Sequence, residues 1–186
     1  MTDQRGDRSE GAPGQDTERA AAIADELWRL EESAMISAQA QFEEAKHWRG
    51  VNLALGIPTT VLAAVAGTTA LVESTGRVTA GILALISAGL GAVLTTVNAP
   101  HRVSLAVSCA NAYLEVQTAA RQARKVDLTP NTVDAARTTL ADLTARRDEQ
   151  NRTAEPPGRR AYRRAQSNIT QGGQTYAADG TLTSDR

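Results

Sequence analysis

Two uncharged apolar stretches dominate the hydrophobic pattern of this chain. Residues 51–72 and 78–97 contain no Asp, Glu, Lys or Arg, and only residues 73–77 separate them. At a rise of about 1.5 Å per residue, each stretch forms a helix of roughly 30 Å, which matches the hydrocarbon thickness of a bilayer. The pattern therefore predicts a transmembrane helical hairpin with a tight turn. Pro58 either kinks the first span or marks where its membrane part begins.

The segment before the hairpin changes from a polar leader to a helical pattern. Residues 1–16 are rich in Gly, Pro, Asp and Arg, which predicts a disordered leader. Over residues 17–50, apolar side chains recur at three- and four-residue spacing, which predicts an amphipathic cytoplasmic helix with Thr17 as its N-cap. Trp48, near the end of this helix, suits the headgroup level of a membrane.

Two further helices are predicted after the hairpin, within residues 98–151. Pro100 allows the chain to change direction, and Thr129-Pro130 has the order of an N-cap followed by proline at the first helical position. Residues 152–186 are predicted to form a basic, mostly disordered tail. The predicted fold class is an all-α membrane protein, in which a two-helix transmembrane hairpin is flanked by cytoplasmic amphipathic helices.

Small side chains repeat every four residues along both predicted spans. This spacing lets helix backbones approach closely, which is how helices associate in lipid. The small faces can pack within one hairpin, between protomers of a homo-oligomer, or both. The candidate helix-packing or pore-lining residues are Gly56, Thr60, Ala63, Ala64, Gly67 and Thr68 in the first span, and Ala80, Ala84, Ala88, Ala92 and Thr96 in the second.

A set of polar residues lies just outside the two spans, at the predicted cytoplasmic mouth. A hairpin brings His47 and His101 to one membrane level, where they form either a titratable ring or ordinary interfacial anchors. Asn52 and Asn98 are also matched in depth, which allows an amide hydrogen bond between the helices unless water solvates them. The mouth candidates are His47, Arg49, Asn52, Asn98, His101 and Arg102.

The distribution of basic residues predicts the orientation of the hairpin. Lys46, Arg49 and Arg102 lie close to the outer ends of the spans, whereas the turn contains only Arg77 beside Glu73. Because Lys and Arg near the membrane remain in the cytoplasm, both termini of this multi-pass chain are predicted to be cytoplasmic. Residues 1–15 are polar, so no cleavable signal peptide is predicted.

The sequence contains no pattern that supports catalysis. It has two histidines, one cysteine and no HExxH, CxxC, Gly-Lys-Ser/Thr or GxSxG motif, so we predict no enzyme activity, no catalytic residue, no cofactor and no metal site. Neither span contains an ionisable group, which disfavours an active transporter. A pore built from several hairpins would be lined by Thr, Ser and Gly and would discriminate weakly between ions.

Four arginines surround Tyr162 within residues 159–164. Such a cluster binds anionic lipid headgroups, remains solvated, or contacts nucleic acid. With one aromatic residue among the arginines and no recognisable nucleic-acid fold, we favour lipid or solvation, so the bilayer is a predicted partner and nucleic acid is not.

The layout resembles the SLATT family, the SMODS- and SLOG-associating two-transmembrane effector domains. The resemblance covers roughly residues 25–125 and rests on FEEAKHW at 42–48, LGIPTT at 55–60, the small-residue second span, Pro100-His101, and ANAYL at 110–114. It implies a bacterial effector that oligomerises into a pore in the inner membrane under control of a nucleotide-signalling partner in antiviral defence. The family provides no catalytic residues.

Two other functions fit the same sequence. A passive membrane anchor or scaffold would use the hairpin for attachment and the cytoplasmic helices to dock a partner. A soluble helical protein would instead bury the two apolar stretches as a central hairpin. A measurement of ion conductance distinguishes an anchor from a pore, and membrane fractionation distinguishes a soluble protein from a membrane protein.

Overall fold

The structure, a computed structural model, describes residues 13–70 and 77–173, and within these ranges it is helical without any β-strand. The described parts of the apolar stretches lie in two helices that are long and apolar enough to cross a membrane, which confirms the two predicted helices. The α-helices are α1 (Pro13–Ala70), α2 (Arg77–Val97), α3 (Ala99–Gln122), α4 (Val133–Thr153) and α5 (Arg159–Thr170), with a π-helical turn at Ala123–Asp127 and a 3-10 turn at Pro130–Thr132.

Helix α1 is one continuous helix of 58 residues, which begins earlier than the sequence predicts. Thr17 lies inside it, so the predicted N-cap is wrong, and residues 13–16 are helical and do not belong to a disordered leader. Pro13 suits the first helical position because its fixed φ is helical and its missing N–H would be unpaired there anyway. Pro58 lies within the helix and does not end it. Residues 1–12 are outside the described residues.

Helix α2 covers the predicted second span almost residue for residue. The predicted turn lies outside the described residues, apart from Arg77 at the start of α2. The interruption after the span is at Asn98, whose φ of 48° is left-handed, and not at Pro100. Asn tolerates this backbone region better than most residues. Pro100 lies in the first turn of α3, where its missing N–H costs no helical hydrogen bond.

The described chain divides into two compact units, and the first consists of the described part of Met1–Ser37 with Ala112–Thr153. Leu27 is completely buried in its core, which contributes about 1.5–3 kcal/mol relative to an exposed leucine. Thr129 caps the turn before α4 through a reciprocal hydrogen-bonded box with Thr132. The core consists of Leu27, Leu30, Ala34, Val116, Ala120, Ala123 and Leu143, with Ile23, Ala119 and Leu140 packed against it.

The second unit consists of Ala38–Asn111 with the described part of Ala154–Arg186. It contains both apolar helices and α5, which is a correction, because the sequence predicted a mostly disordered tail over 152–186. Helix α5 is amphipathic and buries Ala161 and Ala165. Residues 174–186 are outside the described residues.

Three hydrogen bonds connect the α5 segment to α1. The Gly158 N–H donates to the Glu44 carboxylate at 3.1 Å, and the Asn168 amide donates to Gln39 at 3.3 Å. The Gln41 side chain, which is buried, donates to the Glu155 carbonyl at 2.9 Å. These three hydrogen bonds hold the α5 segment, which has few apolar residues, against α1.

Candidate membrane hairpin and its mouth

The contact between the two apolar helices is built around Ser87. Its hydroxyl donates a hydrogen bond of 2.9 Å to the backbone carbonyl of Thr59. A Cβ placed on Gly91 would lie 3.9 Å from the Thr59 methyl group, so the helices pass close to each other there. Ala66 and Ala80 are buried along with Ser87. Close approach of small residues is the usual form of helix packing in lipid.

Most of the predicted small-residue stripe is exposed. Of the eleven candidates, Ala80 is buried, Gly56 is half-buried and the other nine are exposed. These nine keep much of their surface free of the hairpin. They are Thr60, Ala63, Ala64, Gly67, Thr68, Ala84, Ala88, Ala92 and Thr96.

An open groove of about 590 Å³ runs along one side of the hairpin. Only small side chains line it, and an added Cβ at Gly67 or Gly81 would meet no atom within 4 Å. The groove therefore has room for side chains that the hairpin itself does not supply. Its lining residues are Ala63, Ala66, Gly67, Ala80, Gly81, Ala84, Ser87 and Ala88.

Six threonine hydroxyls in the apolar stretches are satisfied by their own helix. Each of the six donates to a carbonyl three or four residues earlier, for example Thr59 to Leu55 at 2.7 Å and Thr96 to Ala92 at 2.8 Å. A hydroxyl bonded in this way can face hydrocarbon without an unpaired donor. Thr60, Thr68, Thr69 and Thr95 have the same arrangement.

Trp48 brings two of the predicted mouth residues together. The guanidinium carbon of Arg102 lies 4.6 Å from the centre of the indole ring, a cation–π distance. The His47 ring meets the indole edge-on, with centroids 5.5 Å apart. Arg102 also forms an ion pair with Glu155. Arg102 is therefore a structural link between α3, α1 and the segment before α5, with its charge already compensated.

The other mouth candidates do not form one cluster. No hydrogen bond joins Asn52 to Asn98 in the part of the chain that the structure describes. Asn98 instead provides the left-handed residue that ends α2. Arg49 and His101 are exposed.

Sequence reasoning missed the residues that hold the hairpin together, namely Thr59, Ala66 and Ser87. Ser87 is the only serine within the second apolar stretch, but a serine hydroxyl can also bond its own helix, so the sequence alone does not indicate that its acceptor lies in the other helix. Within the described residues, no group of three His, Cys, Asp or Glu side chains could hold a metal ion. Comparisons of this chain with protein-family models, curated proteins and solved structures give no match.

Proposed function

We propose that this chain is a two-span integral membrane protein of the bacterial inner membrane, with both termini in the cytoplasm, and that its hairpins associate into a pore. The observation that carries the proposal is the exposure of the apolar helices. Only 6% and 11% of their most apolar windows are buried. A central hairpin of a soluble protein would be mostly buried, so this exposure favours a lipid environment. Large exposed apolar side chains on these helices include Leu53, Ile57, Val61, Val65, Val78, Ile82, Leu85, Ile86 and Val93.

The small-residue groove supports association between copies. Because the hairpin is held by Ser87, Thr59 and Ala66, the stripe that contains Ala63, Gly67 and Ala88 remains available for a helix of a second protomer. Van der Waals packing of small faces drives such association in lipid. This arrangement favours contacts between protomers over packing within the hairpin.

The proposal of a pore combines this association between copies with the family resemblance. Copies that meet at the groove would surround a path lined by hydroxyls and small side chains, which would discriminate weakly between ions. Such a pore would dissipate the membrane potential and act as an effector in antiviral defence. The first unit, with its own helical core, is then the element on which a nucleotide-signalling protein would act.

Expression in bacteria with a potential-sensitive dye tests the pore. We expect depolarisation with the full chain together with its neighbouring signalling genes, and loss of depolarisation with Gly67→Leu. Carbonate extraction of the same cells tests the membrane location independently. Release of the chain by carbonate would contradict the membrane location, whereas retention without depolarisation would contradict only the pore.

A passive anchor or scaffold is the second candidate, and a specific observation favours it. The hydroxyls of six span threonines donate hydrogen bonds to carbonyls of their own helix, so these hydroxyls do not need water in a pore as a hydrogen-bond partner. An anchor needs no conductance. Ion flux through liposomes that contain the purified chain therefore separates the two candidates.

A further inference from the structure

Helix α5 presents an arginine surface that the proposed pore does not use. Ala161 and Ala165 are buried on one side of the helix, and its four arginines are exposed on the others. No ion pair in the described residues involves any of these four arginines. The surface therefore carries positive charge that no ion pair in the described residues neutralises. The four arginines are Arg159, Arg160, Arg163 and Arg164.

Three of these arginines line a groove suited to a phosphate. Arg160, Arg163 and Arg164 surround a space of about 310 Å³ together with Ser167, and no carboxylate lines it. Arg163 uses its Nε–H on the Arg159 carbonyl at 3.4 Å, which leaves its other donors. Guanidinium groups bind phosphate oxygens in pairs, and a serine hydroxyl adds a further donor. We call this the arginine groove.

A neighbouring groove of about 340 Å³ is less suited to an anion. It shares Arg160 and Arg164 but also contains the carboxylates of Glu43 and Glu44, along with His47. Like charges would repel a phosphate there, so the anion is directed to the arginine groove.

The position of α5 on α1 indicates where the phosphate comes from. The bonds from Gly158 to Glu44 and from Asn168 to Gln39 place α5 beside residues 39–44 of α1, with its start nearer the first apolar stretch at Val51. The seven to twelve helical residues between these positions and Val51 span about 10–18 Å, and arginine and tyrosine side chains cover part of that distance by reaching toward the interface. Tyr162, which is 45% exposed, has the apolar body and polar tip of an interfacial residue.

We propose that the arginine groove binds the phosphate of an anionic phospholipid, such as phosphatidylglycerol, in the cytoplasmic leaflet. The inference rests on the proposed membrane insertion, because only insertion brings the groove to the headgroups. The leaflet's negative surface potential attracts basic side chains that lie near it. A nucleic acid would meet one aromatic side chain here, Tyr162, on which a base could stack, so the lipid is the favoured ligand.

Lipid titration of the full chain in neutral detergent, followed by native mass spectrometry, tests the proposal. We expect phosphatidylglycerol to bind more tightly than phosphatidylcholine. The variant Arg160→Gln, Arg163→Gln, Arg164→Gln should lose this preference, with an affinity decrease of about fivefold for each arginine. The matched control, Arg137→Gln, Arg146→Gln, Arg152→Gln, removes the same charge from α4 and should retain the preference.

A second variant guards against misfolding of α5. Changing the same three arginines to Lys keeps the charge but removes the paired guanidinium donors, so this variant should keep a phosphatidylglycerol preference between those of the wild type and the Gln variant, whereas a variant in which α5 misfolds would lose it as completely as the Gln variant. Equal loss in the α4 control, or equal binding of both lipids, would overturn the proposal. Tighter binding of a single-stranded oligonucleotide that the triple Gln variant abolishes would overturn it in favour of nucleic acid.

Membrane fractionation of the wild-type chain distinguishes failure of this inference from failure of the proposed function. A chain that remains in the membrane without a phosphatidylglycerol preference contradicts the lipid site alone. A chain in the soluble fraction contradicts the membrane location on which the site depends.

Discussion

The Ser87 hydroxyl donates to the Thr59 carbonyl at 2.9 Å and is the one side-chain hydrogen bond that crosses between the apolar helices in the described residues. This bond lies inside the hairpin and joins two residues that are distant in the sequence, so it forms only when the two helices pack together. A serine is unremarkable in an isolated helix, where it bonds its own backbone. Here the acceptor belongs to the other helix, which fixes the register of the pair.

Ser87→Ala is expected to destabilise the hairpin by about 0.6–1.7 kcal/mol, because interhelical hydrogen bonds in membrane proteins have this strength. Unfolding of the detergent-solubilised chain with increasing denaturing detergent measures the change. Thr95→Val is the matched control, since the Thr95 hydroxyl bonds Gly91 of its own helix. Equal effects of the two variants would show that the bond to Thr59 does not stabilise the hairpin.

Gly67→Leu is expected to weaken association between copies by about 1–3 kcal/mol, because the leucine fills the groove that a second helix would occupy. Crosslinking in membranes measures the fraction of oligomer. Gly89→Leu makes the same change at an exposed glycine that does not line the groove, and an added Cβ meets open space at both positions. The groove is not the contact surface if crosslinking is the same in both variants.

Glu31→Ala is expected to destabilise the first unit by about 1–3 kcal/mol, because it leaves the Arg124 guanidinium without its partner at 2.8 Å. These side chains are only 16% and 25% exposed, so water compensates poorly for the loss. Glu26→Ala breaks the exposed pair with Arg29 and should cost at most about 1 kcal/mol. Thermal unfolding followed by circular dichroism compares them, and a larger effect at Glu26 would contradict the expectation.

Cys109 is expected to react slowly with maleimide in the folded chain. It is buried in α3, and this desolvation raises the pKa of its thiol, so a smaller fraction is thiolate at neutral pH. The labelling rate should keep increasing with pH above the usual thiol range. In a Cys109→Ser background, Ser108→Cys places the thiol at an exposed position and should label rapidly. Similar rates for the two thiols would contradict the burial of Cys109.

Several elements could be predicted from local sequence alone. The absence of charge over residues 51–72 and 78–97 was sufficient to place two apolar helices, and Thr129-Pro130 was sufficient to place the start of the helical segment that leads into α4. These features depend on the residues themselves and on their immediate neighbours. The prediction of a two-span membrane protein rests on the two apolar helices, and membrane fractionation tests it.

The contact face of the hairpin could not be predicted in the same way. Both apolar stretches carry small or aliphatic side chains all around the helix, so periodicity does not indicate which side meets the partner. The four-residue stripe through Ala84 and Ala88 was as regular as any other, yet it lies in the open groove. The relative rotation and register of two helices are set by the fit between them, which no single segment encodes.

Helix α5 is an element that the local sequence does not predict and that the tertiary structure contains. Its segment has few apolar residues and follows two prolines, which by itself predicts disorder. The structure buries Ala161 and Ala165, and Glu44, Gln39 and Gln41 of α1 form hydrogen bonds with the same segment. The sequence by itself determined where helices could form and which of them are apolar. The tertiary structure decided which faces are covered, because burial depends on a partner surface that is distant in the chain.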